Sequence, residues 1–172
     1  MKKKLLAAIL AGAMLLSGCG SNIREGVTCL EEGKYEEAIE AFEVQIEEGK
    51  QVGEAYRGIA IANFELGNHE ECVAYFEKAL EQEVEQTASM YKLMATACIQ
   101  YEDYENAIEY YESLLETDDC TEEMKKEALF NCVVMYEKLL DWESAREAVN
   151  AFLQLYPDDE KAIKEAEFLE TR

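Results

Sequence analysis

Apart from its 38 acidic residues, among which carboxylate pairs are inevitable, this chain has few side chains that suit acid–base or metal chemistry, and their spacing does not favour it. The single histidine, His69, lies three positions before Cys72 without a second pair of ligands nearby, so a zinc site is not favoured. No Cys-x-x-Cys pair, glycine-rich phosphate loop or serine–histidine–aspartate order occurs. The acidic stretches 118–122 and 158–160 lack the glycine-centred spacing of an EF-hand loop. These patterns favour a protein that is not an enzyme and that carries no metal or other cofactor.

One cysteine, Cys19, closely follows an apolar N-terminal segment. Three lysines at 2–4 precede an apolar run over 5–16, and Ser17, Gly18 and Cys19 follow it. This order is typical of a secretory signal, and the run is shorter than the roughly 20 residues of a membrane-spanning helix. Leu-Ser-Gly-Cys also resembles a bacterial lipobox, which implies that residues 1–18 are cleaved and that Cys19 is acylated, with palmitate as a typical chain. The alternative is an ordinary signal peptide followed by a coincidental cysteine.

The lipobox resemblance and the net charge bear on location and partners. Acyl chains on Cys19 would hold the protein at the extracytoplasmic face of the cell membrane, or at the periplasmic face of the outer membrane in a two-membrane host. Without residues 1–18, lysine plus arginine falls from 16 to 13 while aspartate plus glutamate stays at 38, so the net charge changes from -22 to -25. Nucleic acid is therefore not an expected partner, because phosphate binding requires a basic surface.

The most informative pattern is a repeat. A glycine, an aromatic residue or histidine, a small residue and a phenylalanine recur after 34 residues. Gly33, Tyr35, Ala38 and Phe42 correspond to Gly67, His69, Cys72 and Phe76. The module continues with some slippage over 104–111 and 142–149. Apolar residues fall at helical spacing in each copy, and strand-like alternation is missing. Helix N-caps are predicted at Asn68, Asp103, Thr121 and Asp141.

The repeated module resembles the tetratricopeptide repeat, in which a helix, a turn and a second helix occupy about 34 residues. The second copy follows that signature most closely, with Tyr56, Ile59, Ala60, Cys72 and Phe76. The resemblance implies an all-α helical solenoid of about four stacked repeats. Its expected divisions are repeat 1 at 19–52, repeat 2 at 53–86, repeat 3 at 88–121, repeat 4 with an extended first helix at 122–159, and a capping helix at 160–172.

In this family the first helices of successive repeats line a concave groove that binds a protein or peptide. Carried over position by position, the groove is expected to contain Val27, Leu30, Arg57, Ile61, Phe64, Lys92, Thr96, Ile99, Phe130 and Val134. Its apolar floor and its two cations favour a segment with apolar anchors and a carboxylate. The alternative is that these side chains only pack between the helices of the stack. Ile61 stands where the family's carboxylate clamp has asparagine, so that clamp is not implied.

Five cysteines besides Cys19 would share an oxidising compartment after export. They are Cys29, Cys72, Cys98, Cys120 and Cys132. An odd number leaves at least one unpaired, and buried thiols that act as small apolar side chains are the favoured interpretation. A disulfide between Cys98 and Cys132 stays open, because sequence does not give the geometry that it requires.

Two functions agree with these patterns. The first is a membrane-anchored extracytoplasmic scaffold that binds folded protein partners in its groove with defined stoichiometry. The alternative is an assembly factor of the envelope, of pili or of the outer membrane that binds non-native client polypeptides promiscuously. Both require a protein or peptide partner, and the sequence does not identify it.

Overall fold

The computed structural model describes residues 21–172, so the expected signal peptide and the lipidation site at Cys19 lie outside the described residues. Within that range the chain forms nine α-helices and no strand, which confirms the predicted all-α fold. The helices are α1 (Ser21–Glu32), α2 (Tyr35–Glu47), α3 (Val52–Leu66), α4 (His69–Glu81), α5 (Ala88–Gln100), α6 (Tyr104–Leu115), α7 (Glu122–Lys138), α8 (Trp142–Leu155) and α9 (Glu160–Leu169). In this part of the chain, no helix combines the length and the apolar character needed to cross a membrane.

The helices belong to two compact units. The first ends at Gln86 and contains α1–α4, and the second begins at Thr87 and contains α5–α9. In the first unit each helix packs on the next, and α1 also contacts α3. The same sequential packing runs from α5 to α9 in the second unit. Each unit therefore holds two helix pairs, and the second unit adds α9 after its last pair.

The core of the first unit is arranged around the buried ring of Phe42 on α2. Gly26 of α1 and Gly58 of α3 both face this ring. A Cβ on Gly26 would lie 2.5 Å from Phe42 Cε1, and a Cβ on Gly58 would also overlap the ring. Interiors packed to this density leave no room for an extra methyl group. Both helices therefore need glycine at these positions to reach Phe42.

Apolar side chains of α7, α8 and α9 form a continuous core in the second unit. Its buried members are Phe130, Val133, Ala145, Val149, Phe152, Ala162 and Leu169. The rings of Phe130 and Phe152 meet edge to face with 5.6 Å between their centroids, an arrangement that aromatic pairs favour. From α9, Ala162 and Leu169 are fully buried. The last helix thus covers the apolar side of the pair before it.

Side-chain caps start the helices of the second unit. The cap residues accept hydrogen bonds from backbone N–H groups of the first turn and are Thr87, Asp103, Thr121, Asp141 and Asp159. The predicted caps at Asp103, Thr121 and Asp141 are confirmed. The prediction for Asn68 is wrong, since its side chain makes no cap hydrogen bond to α4. Its Nδ2 instead donates to Asn63 Oδ1 at 3.1 Å, so this amide ties the α3–α4 turn to α3.

Candidate functional site

The expected groove residues of the second unit lie on the first helices of its two pairs. Lys92, Thr96 and Ile99 follow each other at helical spacing on α5, so they share one face. All three are partly exposed. On α7, Glu127 is exposed and Val134, two turns later, is half-buried. We call these five residues the α5–α7 face.

An ion pair joins the two helices of the α5–α7 face. Lys92 Nζ donates to Glu127 Oε2. The side chains are 29% and 46% exposed, so water screens the pair and its contribution to folding stability is small. The Thr96 hydroxyl donates to the Lys92 carbonyl oxygen at 2.7 Å. The ammonium of Lys92 is therefore held by a partner that an incoming carboxylate can replace.

Phe130 and Val134 lie at different depths in the second unit. Phe130 is buried and belongs to the core, with Lys161 Nζ 4.1 Å from its ring centroid. Val134 packs against the same core and remains half-buried. Because a cation over an aromatic face is attracted to it, Lys161 further covers the Phe130 ring. Phe130 thus supports the α5–α7 face from below, and Val134 contributes to its surface.

The expected groove residues of the first unit are mostly buried. The exposed fractions are 8% for Val27, 4% for Leu30, 3% for Arg57 and 1% for Ile61. Phe64 is half-buried, and its ring lies edge-on to the ring of His69 at 5.5 Å. Of the five positions predicted there, Phe64 is therefore the one with side-chain surface that a partner can reach in this conformation.

Arg57 is a buried cation on α3. Its Nη2 lies 2.6 Å from Glu54 Oε2, one turn earlier on the same helix, although the pair lacks hydrogen-bond geometry. The Glu54 side chain is partly exposed, so the pair meets solvent through its carboxylate. The Arg57 side chain is buried along its length, so its truncation removes packing as well as the ion pair. Substitution of Arg57 would therefore report on folding before it reported on binding.

Two tyrosine pairs are missing from the sequence prediction. Tyr56 and Tyr75 have ring centroids 6.1 Å apart, and Tyr91 and Tyr110 have centroids 6.4 Å apart. Each pair joins the first and second helix of one helix pair. Lys78 Nζ lies 4.4 Å from the Tyr75 centroid and 5.9 Å from that of Tyr56. The signal in the sequence is that both pairs have the same separation along the chain.

The cysteines of the described part are thiols without disulfides. Cys72, Cys98 and Cys132 are buried, and Cys29 and Cys120 are half-buried. Loss of solvation on burial raises the pKa of Cys132 to about 12, which keeps this thiol protonated and unreactive. Among residues 21–172, no three His, Cys, Asp or Glu side chains are grouped so that they could hold a metal ion.

Two carboxyl groups meet where α7 faces α9. Burial, together with a hydrogen bond to Glu165 and the charge of Glu165, raises the pKa of Glu137 to about 7, and Lys138 opposes the shift. Oε1 of Glu137 is buried without a hydrogen-bond partner. Two carboxylates that share a site favour retention of a proton. We therefore expect the contact between the last repeat and its covering helix to depend on pH.

Comparison with known families identifies the repeat. Two family models, each described as Tetratricopeptide repeat, match residues 51–119 and residues 93–160. Together the matched ranges include helices of both units. No curated protein matches the chain.

Solved structures share the fold at low sequence identity. MamA from Desulfovibrio magneticus RS-1 is 19% identical with a TM-score of 0.67, covering 90% of this chain and 87% of that chain. MamA from AMB-1 is 16% identical with a TM-score of 0.64, covering 86% of this chain and 78% of that chain. A TPR repeats protein from Bacteroides fragilis is 17% identical with a TM-score of 0.51, covering 87% of this chain and 81% of that chain. At these identities the likeness shows the fold alone.

Proposed function

Because the chain contains tetratricopeptide repeats, we propose that it is a protein-binding scaffold held at the extracytoplasmic face of a membrane by lipid on Cys19. The repeat match over 51–119 and 93–160 supports protein binding. The Leu-Ser-Gly-Cys segment that follows a short apolar run supports the anchor. The proposal assigns the chain a partner and no reaction.

The α5–α7 face is the proposed contact surface of the second unit, with Phe64 as the accessible position of the first. The observation that carries this assignment is the partial exposure of apolar Ile99 and Val134, each two helical turns along its helix from the Lys92–Glu127 ion pair. An apolar surface with one lysine whose ion-pair partner can be replaced suits a helix or peptide that offers apolar anchors and a carboxylate. The buried positions Val27, Leu30, Arg57, Ile61 and Phe130 support these surfaces from within the units.

A double substitution tests the contact surface. Ile99→Asp with Val134→Asp places two carboxylates on the α5–α7 face, and burying them against an apolar partner is strongly unfavourable. Chemical crosslinking in cells, followed by recovery of the tagged protein and quantitative mass spectrometry, is expected to show at least a tenfold loss of the specific partner. Circular dichroism of the variant is expected to show the helix content of the original protein.

A matched control introduces the same two aspartates at other exposed apolar positions of the second unit. Leu155 and Ile163 are exposed apolar residues of the same unit, at 54% and 39%, and lie outside the α5–α7 face. Leu155→Asp with Ile163→Asp is expected to retain the partner. Equal recovery by both double variants would contradict the proposed surface. Recovery of many unrelated unfolded chains, in place of one partner at fixed stoichiometry, would favour the assembly-factor alternative.

The anchor has a test of its own. Cys19→Ala removes the thiol that would receive the lipid, while Cys29, the next cysteine, remains. Labelling with a clickable palmitate analogue is expected to mark the original protein and not the variant. Fractionation is expected to move the exported variant from the membrane to the soluble fraction. Membrane retention of the variant, or label on it, would refute acylation of Cys19.

A further inference from the structure

A cleft on the first helix pair shares no lining residue with the proposed contact surface. It has a volume of about 380 Å³ between α1 and α2, which is near the lower end of the ~300–1,000 Å³ range of ligand pockets. Its lining residues are Glu25, Cys29, Glu37, Glu40, Ala41 and Val44. Val44 is 42% exposed, the only large apolar side chain with that degree of exposure among residues 21–86.

The lining residues of α2 form a stripe beside the one that builds the core. Glu37, Glu40, Ala41 and Val44 follow the i, i+3, i+4, i+7 spacing of a single helix face. The buried residues of α2, which include Ala38 and Phe42, belong to the neighbouring face. Since Phe42 already occupies the core side, the second stripe is available to another molecule.

The second repeat shows what occupies the same place when the chain supplies it. A shift by one repeat, as from Gly33 to Gly67, carries Ala41 to Tyr75 and Val44 to Lys78. Tyr75 packs beside a tyrosine of α3, and the Lys78 ammonium lies 4.4 Å from the centroid of Tyr75. In the third repeat the equivalent residue is Tyr110, whose ring stacks with that of Tyr91 on α5. The first repeat has alanine at this position, so it supplies no ring beside the cleft.

The rim of the cleft adds a charge requirement. Glu25, Glu37 and Glu40 surround the apolar floor of Cys29, Ala41 and Val44 without a cation among the lining residues. Desolvation raises the pKa of Cys29, the charge of Glu37 raises it further, and the charge of Lys34 opposes the shift by less than Glu37 adds. Residues 19–86 carry five lysines and arginines against 17 glutamates. A cationic segment is attracted to this rim, and an anionic one is repelled.

We propose that the α1–α2 cleft docks a cationic segment of a protein partner, with one aromatic side chain on Ala41 and Val44 and a lysine or arginine beside it paired with Glu37 and Glu40. The arrangement reproduces, between two molecules, the Tyr75–Lys78 arrangement of the second repeat. Aromatic rings anchor interfaces because they bury a large area with few rotatable bonds. The docked segment differs in chemistry from the carboxylate-bearing partner proposed for the α5–α7 face.

The test uses a helix-forming probe peptide with one tryptophan and a lysine three positions later, the spacing of Tyr75 and Lys78. Fluorescence anisotropy with the full-length protein is expected to show saturable binding. Ala41→Tyr with Val44→Lys installs the residues of the second repeat and fills the cleft. It is expected to weaken peptide binding at least tenfold, about 1.4 kcal/mol. Glu37→Lys with Glu40→Lys is expected to have a similar effect by repulsion.

Matched controls separate the cleft from general charge attraction. Glu81→Lys with Glu109→Lys makes the same change in net charge on exposed positions of α4 and α6 and is expected to leave binding within twofold. A peptide with alanine in place of tryptophan is expected to bind at least tenfold more weakly. A probe with benzoylphenylalanine at the tryptophan position is expected to crosslink within residues 25–44.

Three results would overturn the proposal. They are absence of saturable binding, unchanged binding by the cleft-filled variant, and crosslinks that map outside residues 25–44. Sedimentation that shows a dimer lost in the cleft-filled variant would assign the cleft to a second copy of the chain instead. Because these variants leave Ile99 and Val134 unchanged, failure here is distinguishable from failure of the proposed contact surface.

Discussion

The two units end their first helices with different residues in the same backbone conformation. In the first unit, Gly33 and Gly67 follow α1 and α3 with φ of 75° and 83°. In the second unit, Glu102 and Leu140 follow α5 and α7 with φ of 65° and 60°. This left-handed region costs a residue with a side chain roughly 1–2 kcal/mol, and glycine almost nothing. At the ends of these first helices the second unit therefore contains local strain that glycine avoids in the first, although Gln51 and Glu83 are left-handed elsewhere in the first unit.

The junctions between helix pairs differ in a related way. In the first unit, Gly58 allows α3 to approach the ring of Phe42. At the corresponding junction of the second unit, between α6 and α7, Asn131 Nδ2 donates to Tyr111 Oη at 2.9 Å. All nine glycines lie at or before position 67. The comparison shows that one repeat architecture can be held by close packing at glycine or by side-chain hydrogen bonds and caps.

Gly58→Ala gives the largest expected change in folding stability and tests the close packing at glycine in the first unit. Its methyl group would overlap the Phe42 ring, which typically costs about 1–3 kcal/mol. Alanine favours a helix over glycine by about 1 kcal/mol, so a net loss of up to about 2 kcal/mol is expected. Urea denaturation, with hydrogen exchange of α3 amides to locate the change, measures it. Phe42→Leu in the same chain is expected to restore part of the loss, and a plain stabilisation by Gly58→Ala would contradict this packing.

Glu137→Gln tests the polar contacts of the second unit through the pH dependence of folding stability. The pKa of Glu137 is raised from 4.5 to about 7 in the folded protein. A raised carboxyl pKa means that the folded state favours the proton, so the stability linked to it is complete below pH 4.5 and decreases as the pH rises through 7. Partial exposure limits the effect to about 1–2 kcal/mol.

Urea denaturation of both proteins at pH 4.5 and pH 8 measures this difference. Glutamine keeps the shape and cannot ionise, so the variant is expected to be more stable than the original protein at pH 8 and close to it at pH 4.5. Glu147→Gln, an exposed position on α8, is the control for loss of one charge. A stability difference that does not change between the two pH values would refute the shared proton with Glu165.

Removal of the Tyr111–Asn131 hydrogen bond is expected to cost about 1 kcal/mol. Tyr111→Phe also makes this junction resemble the first unit, which has Phe42 at its own. A double-mutant cycle with Asn131→Ala measures the coupling between the two side chains by urea denaturation. Additive losses would show that the hydrogen bond does not hold α7 to α6.

Sequence predicts the repeat architecture because its period is repeated along the chain and local patterns reinforce it. The capping aspartates 103 and 141 could be predicted because one side chain and the next turn suffice to form each cap. Asn68 could not, because its amide meets Asn63 of the preceding helix. The burial of Arg57 could not be predicted either. Helical spacing shows which face of a helix a residue lies on, and it does not show whether that residue is exposed in a groove or buried beneath it. The cleft beside Ala41 could not be predicted, because helical spacing does not show where two packed helices leave space between their side chains.

Leu140→Gly has the smallest expected effect and addresses the strain directly. Leu140 is 67% exposed, so its removal sacrifices little packing while glycine relieves the left-handed backbone. The gain is offset in part by the greater freedom of glycine in the unfolded chain, which leaves a stabilisation of about 0.5 kcal/mol. Leu139, the preceding residue, is right-handed, and Leu139→Gly is therefore expected to destabilise by about 1 kcal/mol. Urea midpoints that move in the same direction for both variants would show that the second unit carries no strain at this turn, and that its lack of glycine has no energetic consequence there.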